Sequence, residues 1–146
     1  MSDRYRFFGF DTSINAKGRV AFKAELDNGD QGLFSARGAG PDRTYYLASE
    51  AEFIGEQSGP SIRGKRVAFA ENRDDFSSGI FVVDRDGVFT TIADDSGPLG
   101  LVESPSLGPR GRVAFHAYLD AGGEALMVGR GGPLTTVADT SVACRK

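Results

Sequence analysis

Hydrophobic and polar residues alternate with a period of two along most of the chain, which is the period of a β-strand. The clearest example is the segment 19–26, in which apolar residues at even positions alternate with a mostly polar set at odd positions. No ten-residue window keeps the 3.6-residue period of an amphipathic helix. The pattern therefore predicts an all-β protein.

This pattern occurs three times. The segment Val-Ala-Phe begins at Val20, Val67 and Val113, so successive copies are 47 and 46 residues apart. Each copy is preceded by a serine and a glycine, and two further landmarks follow it in constant order. These landmarks are Gly32-Leu-Phe, Gly79-Ile-Phe and Ala125-Leu-Met, then Tyr46-Leu-Ala, Thr91-Ile-Ala and Thr136-Val-Ala. Three landmarks at one spacing indicate an internal repeat.

Each repeat contains four strand-like segments separated by turns rich in Gly, Asn and Asp. The first strands are expected at 6–12, 52–58 and 99–104, the third at 31–37, 79–84 and 124–129, and the fourth at 43–48, 87–93 and 134–138. The chain then divides into units 4–48, 50–93 and 98–138 within a single domain, with a short tail 140–146. Four strands in about 45 residues is the size of one blade of a β-propeller.

The segment Ser13-Ile-Asn-Ala-Lys-Gly-Arg-Val-Ala-Phe22 resembles the tandem repeats described as Asn-x-x-Gly-x-x-x-Ala-Phe, with two residues instead of three between Gly18 and Ala21. The whole unit also resembles a diverged blade of the TolB-type β-propellers. The second and third units lack the asparagine. The resemblance implies a fold and an exported origin. It implies no activity, because the motif carries no catalytic residue.

Three blades are too few for a closed propeller, which needs roughly four to eight. The first and last blades would each leave an apolar face open, and soluble monomers rarely expose such large patches. Two chains joined head to tail around a two-fold axis would close a six-bladed ring, with blade 3 of one chain against blade 1 of the other. Two alternatives stay open: the chain is a piece of a longer protein, or the three units form a monomeric β-trefoil.

Composition excludes several function classes. The net charge is -3, which argues against a nucleic-acid partner. The one cysteine, Cys144, and the one histidine, His116, exclude an internal disulfide framework and a histidine-rich metal site. No apolar run is long enough to cross a membrane, so we expect no membrane partner. The first residues, Met-Ser-Asp-Arg-Tyr-Arg, lack the apolar core of a signal peptide, which leaves the compartment undetermined.

Charged residues divide between two sets of loops. In a propeller, the loops after the second and fourth strands open at one end of the disc, and the loops after the first and third strands open at the other. The first set is acidic: Asp27, Asp30, Glu50, Asp74, Asp75, Asp94, Asp95, Asp120 and Asp139. The second is basic: Lys17, Arg19, Arg37, Arg43, Arg63, Lys65, Arg66, Arg85, Arg110, Arg112 and Arg130. The division predicts an acidic and a basic end, although turn preferences alone can also place these residues.

The candidate ligand-binding residues are oxygen donors. Asp11, Glu56, Gln57 and Glu103 belong to first strands, which line the central tunnel of a propeller. Asp74, Asp75, Asp94 and Asp95 lie in acidic loops. Such groups suit Ca²⁺, which takes six to eight oxygen ligands, but ordinary polar residues facing a wet channel are the simpler interpretation. No catalytic residue is singled out. The sequence therefore predicts a non-catalytic binding or scaffold module that pairs with itself, with a Ca²⁺-dependent propeller hydrolase as the alternative.

Overall fold

The computed structural model describes residues 4–48, 58–72 and 78–140, which form twelve antiparallel strands in three sheets. The first sheet contains β1 (Tyr5–Ile14), β2 (Val20–Leu26), β3 (Gln31–Ala36) and β4 (Arg43–Ala48). The second contains β5 (Ser61–Arg63), β6 (Arg66–Asn72), β7 (Ser78–Asp84) and β8 (Phe89–Asp94). The third contains β9 (Leu99–Leu107), β10 (Val113–Leu119), β11 (Glu124–Gly129) and β12 (Thr135–Asp139). These described residues include no α-helix, so the all-β prediction is confirmed.

Each sheet is a meander in which neighbours in sequence are neighbours in space. None of the three sheets closes on itself. The second strands pair in the same register in all three units: Val20 faces Ala36, Val67 faces Val83 and Val113 faces Gly129 across the β2–β3, β6–β7 and β10–β11 pairs. This common register places the matching residues of the three Val-Ala-Phe segments on equivalent faces of their sheets.

The first strands of the units run further than the sequence pattern predicts. β1 continues to Ile14 and β9 to Leu107, whereas the expected ends are residues 12 and 104. The turn after β1 is tight because the Asn15 carboxamide oxygen accepts hydrogen bonds from the backbone N–H groups of Lys17 and Arg19. The predicted strand 52–58 lies, except for its last residue, outside the described residues.

The sheets pack in chain order, and the second sheet lies between the other two. One core holds Ala21 and Leu33 of the first sheet against Val67 and Phe69 of the second. The other core holds Ala68 and Ala70 of the second sheet against Val113 and Phe115 of the third. In each Val-Ala-Phe strand, the valine and phenylalanine point to one side of the sheet, here called the Val-x-Phe side, and the alanine points to the other, the Ala-x side. In both junctions, the Val-x-Phe side of one unit packs on the Ala-x side of the unit before it. One packing rule therefore serves both junctions, as expected for a repeat.

The third strands show why a glycine and an aromatic ring occur together. A Cβ atom added to Gly32 would lie 2.5 Å from the ring of Phe34, and one added to Gly79 would lie 2.7 Å from the ring of Phe81. The missing side chain makes room for the ring two residues later. In the third unit, Ala125 takes the glycine position and the narrower Met127 replaces the ring. The paired change is a packing constraint visible within one chain.

Candidate functional surfaces

The open face of the first sheet is aromatic. Tyr5 and Phe8 of β1 lie beside Phe22, with ring centroids 5.4 and 5.7 Å away. Phe34 is fully buried beneath this layer, and its ring contacts Tyr5 and the guanidinium of Arg4. Phe8 remains 65% exposed. Because the second sheet packs on the opposite side, this layer has no covering sheet among the described residues.

The open face of the third sheet mixes apolar and charged side chains. Tyr118 and Leu126 are exposed on it, and Leu126 keeps 52% of its surface exposed. His116 lies at its centre, with Nδ1 3.2 Å from a Glu103 carboxylate oxygen and Nε2 3.0 Å from one of Glu124. The register explains the first contact, since Glu103 of β9 faces His116 of β10 directly.

Serine side chains connect neighbouring units along the first strands. The Ser13 hydroxyl oxygen accepts a hydrogen bond from the backbone N–H of Ile62 at 3.0 Å. The Ser61 hydroxyl oxygen, at the equivalent position, accepts one from the N–H of Leu107 at 2.9 Å. The third serine of this series is Ser106. The first and second units therefore each present a serine acceptor to the unit that follows, at matching positions of the sequence.

A buried ionisable group lies in the junction between the first and second sheets. The Lys23 Nζ donates hydrogen bonds to the carbonyl oxygens of Ser58, at 2.7 Å, and Ala70, at 2.8 Å. Burial lowers the pKa of Lys23 to about 7, and the nearby carboxylate of Glu71 acts in the opposite direction. Glu71 is itself buried and accepts a hydrogen bond from the Tyr46 hydroxyl at 2.9 Å.

Three acidic residues line a depression at one end of the second sheet. A cleft of about 260 Å³ is lined by Glu71, Asp94 and Asp95, together with Ser78 and Thr91. Asp95 accepts a hydrogen bond from the backbone N–H of Ser78, and Asp94 accepts one from that of Ser96. Both carboxylates therefore stabilise the loop in which they lie.

The predicted oxygen donors have different surroundings. Asp11 is exposed on β1, next to Gly59, whereas Glu103 contacts His116 on the open face of the third sheet. Glu56, Gln57, Asp74 and Asp75 lie outside the described residues. Within the described part of the chain, no three His, Cys, Asp or Glu side chains are grouped so that they could hold a metal ion.

Two features of these surfaces could not be found from the sequence pattern alone. Lys23 occupies a polar position of an alternating strand, where exposure is the ordinary expectation, and its burial depends on the neighbouring sheet. The contact between His116 and Glu103 needs the register of β9 and β10, which includes an irregularity between Ala114 and His116. The sequence does contain one signal that links the two residues. Lys23 and His116 occupy the same position in their units, three residues after the valine that begins each Val-Ala-Phe segment.

Comparison of the chain with family models, curated proteins and solved structures finds no significant match. No helix in residues 4–48, 58–72 and 78–140 is long and apolar enough to span a membrane.

Proposed function

We propose that this chain is one half of a six-bladed β-propeller that two copies complete, and that the ring acts as a non-catalytic binding or scaffold module. The observation that carries the proposal is the packing rule shared by the two internal junctions. Three separate meander sheets, each packed on the next, favour propeller blades over the β-trefoil. A trefoil would instead join its units through a common barrel.

The open faces fit each other by that same rule. On the first sheet, the side that contains Val20 and Phe22 has no covering sheet among the described residues. Phe22 is itself buried beside Tyr5 and Phe8, and Phe8 forms the exposed part of this side. The third sheet leaves an Ala-x side open, which contains Ala114 and His116. These are the two sides that meet at each internal junction. A second copy of the chain therefore supplies the matching side for both faces.

The serine series gives the proposed contact a register. Ile62 and Leu107 donate their backbone N–H groups to the serine of the preceding unit, and Ile14 holds the equivalent position in the first unit. In the ring, the Ile14 N–H of one copy would donate to the Ser106 hydroxyl of the other. Ile14 is 64% exposed, so its side chain would also become buried there.

Point variants on each open face test the ring. We expect Leu126→Glu, or Phe8→Glu, to convert the dimer to a monomer at micromolar concentration. Burying the exposed half of a leucine contributes about 1 kcal/mol, the ring contains two such contacts, and a buried carboxylate adds a further cost. Val88→Glu is the matched control, since Val88 is 61% exposed in the β7–β8 turn and lies on neither face.

Mixing the two monomeric variants tests the head-to-tail arrangement. Leu126→Glu retains an intact first-sheet face, and Phe8→Glu retains an intact third-sheet face. The mixture should therefore form a heterodimer with one intact contact, more strongly than either variant associates alone. If each face instead paired with its own kind, one variant would stay dimeric by itself, and that result would contradict the proposal.

A further inference from the structure

Four turns meet at the end of the second and third sheets that lies opposite the acidic depression. They connect β5 to β6, β7 to β8, β9 to β10 and β11 to β12. The last three turns, together with Arg66 at the start of β6, line a cleft of about 230 Å³. Arg66, Arg110 and Arg130 line this cleft, each from a different turn or strand end. The repeat thus brings together three guanidinium groups that are far apart in sequence.

The positive charge of the cleft is largely unopposed. The described residues form no side-chain hydrogen bond or ion pair with Arg66, Arg110 or Arg130. Among the described residues, Asp84 is the one carboxylate that lines the cleft. Its Oδ1 already accepts hydrogen bonds from the backbone N–H groups of Asp86 and Val88, at 2.9 and 3.0 Å. The guanidinium donors are therefore available to a ligand.

A second depression continues the basic surface. Its volume is about 290 Å³, and its lining includes Arg63, Lys65, Arg66 and Arg110. Arg66 and Arg110 line both depressions. Five basic side chains therefore follow one another along the junction, and a ligand with more than one anionic group could contact several of them.

The backbone of Arg110 gives an independent observation. Arg110 has φ 62° and ψ 27°, a left-handed conformation that is unfavourable for an ordinary L-residue. In the β5–β6 turn, the left-handed position is held by Gly64, which has no such cost. A strained arginine beside two others is the kind of outlier that binding sites retain.

We propose that this cleft binds an oxyanion that carries two or more phosphate groups. Arginine forms paired hydrogen bonds with phosphate oxygens, and three guanidiniums around one cleft favour high local negative charge. The inference deepens the proposed binding role by naming a ligand class. It does not require the ring, because the cleft lies between two sheets of one chain.

Calorimetric titration with sodium tripolyphosphate tests the site. The Arg110→Gln/Arg130→Gln double variant should lose at least about tenfold in affinity, since it removes two guanidinium groups that would form charged hydrogen bonds with the phosphate oxygens. The control Lys17→Gln/Arg37→Gln removes the same charge from exposed positions on the first sheet and should lose less than about threefold. All three proteins should keep the same melting temperature without ligand.

Several outcomes would overturn the site. Equal losses in the cleft and control variants would show diffuse charge attraction, and so would binding of heparin without binding of tripolyphosphate. Undetectable binding at about 50 mM salt, where screening is weak, would also refute it. A second titration with a sugar bisphosphate, compared with the tripolyphosphate titration, shows whether the cleft prefers a phosphate ester or a free oligophosphate. Retained binding in Leu126→Glu would uphold the cleft even if the ring proposal failed.

Discussion

Replacing Lys23 with methionine should change how the stability of the fold depends on pH. The Lys23 amine is buried between the first and second sheets, and its pKa is lowered to about 7 from the ordinary value of 10.5. Between these two pH values, the unfolded chain binds one proton more at this position than the folded chain does. The free energy of unfolding therefore rises with pH across this window, because folding releases this proton and the release costs less free energy as the pH rises.

The expected slope follows from proton linkage. One extra proton in the unfolded state corresponds to about 1.4 kcal/mol per pH unit, so the wild type should gain roughly 2–3 kcal/mol between pH 7.5 and pH 9.5. Lys23→Met removes the titrating group, and its stability should stay nearly constant over that range. The variant should also be less stable overall, because the carbonyl groups of Ser58 and Ala70 lose their donor.

Urea unfolding at several pH values measures this slope. A Cys144→Ser background removes thiol titration, and a fixed protein concentration keeps any association constant. Lys17→Met is the matched control, since Lys17 is exposed in the turn after β1 and its loss should leave the slope unchanged. The same dependence of unfolding free energy on pH in the wild type and in Lys23→Met would refute a titrating role of the buried Lys23 amine.

Three further measurements test the packing and the alternative function. Gly79→Ala should destabilise the fold by about 1–3 kcal/mol in chemical denaturation, and adding Phe81→Met should recover most of the loss. Additive losses would contradict the fit of the Phe81 ring against Gly79. Ser61→Ala should lower the free energy of unfolding by about 1–2 kcal/mol, because it leaves the backbone N–H of Leu107 without its acceptor. An unchanged denaturation midpoint would show that this hydrogen bond between units does not contribute to stability. A Ca²⁺ titration followed by the melting temperature separates the two function classes, since a rise supports the Ca²⁺-dependent hydrolase and a constant value supports the non-catalytic module.

The strands were predictable because their information is local. The period of two and the repeated Val-Ala-Phe segments depend only on neighbouring residues, and the second strands lie where these patterns indicate. The strand end at Ile14 was missed because it depends on how the Asn15 side chain closes the next turn. Turn chemistry, not hydrophobic pattern, sets that boundary.

The candidate surfaces depend on contacts between units and were harder to predict. The burial of Lys23 depends on a sheet about 47 residues further along the chain, as its hydrogen bond to Ala70 shows. The division of charged loops was predicted from the strand order, but the meeting of Arg66, Arg110 and Arg130 in one cleft needed the packing of two sheets. Sequence patterns identify such residues as basic or polar without showing which of them meet.

The solution mass of the unmodified chain tests the proposed ring most directly. Light scattering coupled to size-exclusion chromatography should give one species with twice the 15.5 kDa chain mass. Over about a hundredfold dilution, this dimer should dissociate to monomer in a single transition. A monodisperse 15.5 kDa species at the highest concentration would contradict the account. A ladder of ever larger species would contradict it as well, because head-to-tail contacts would then fail to close.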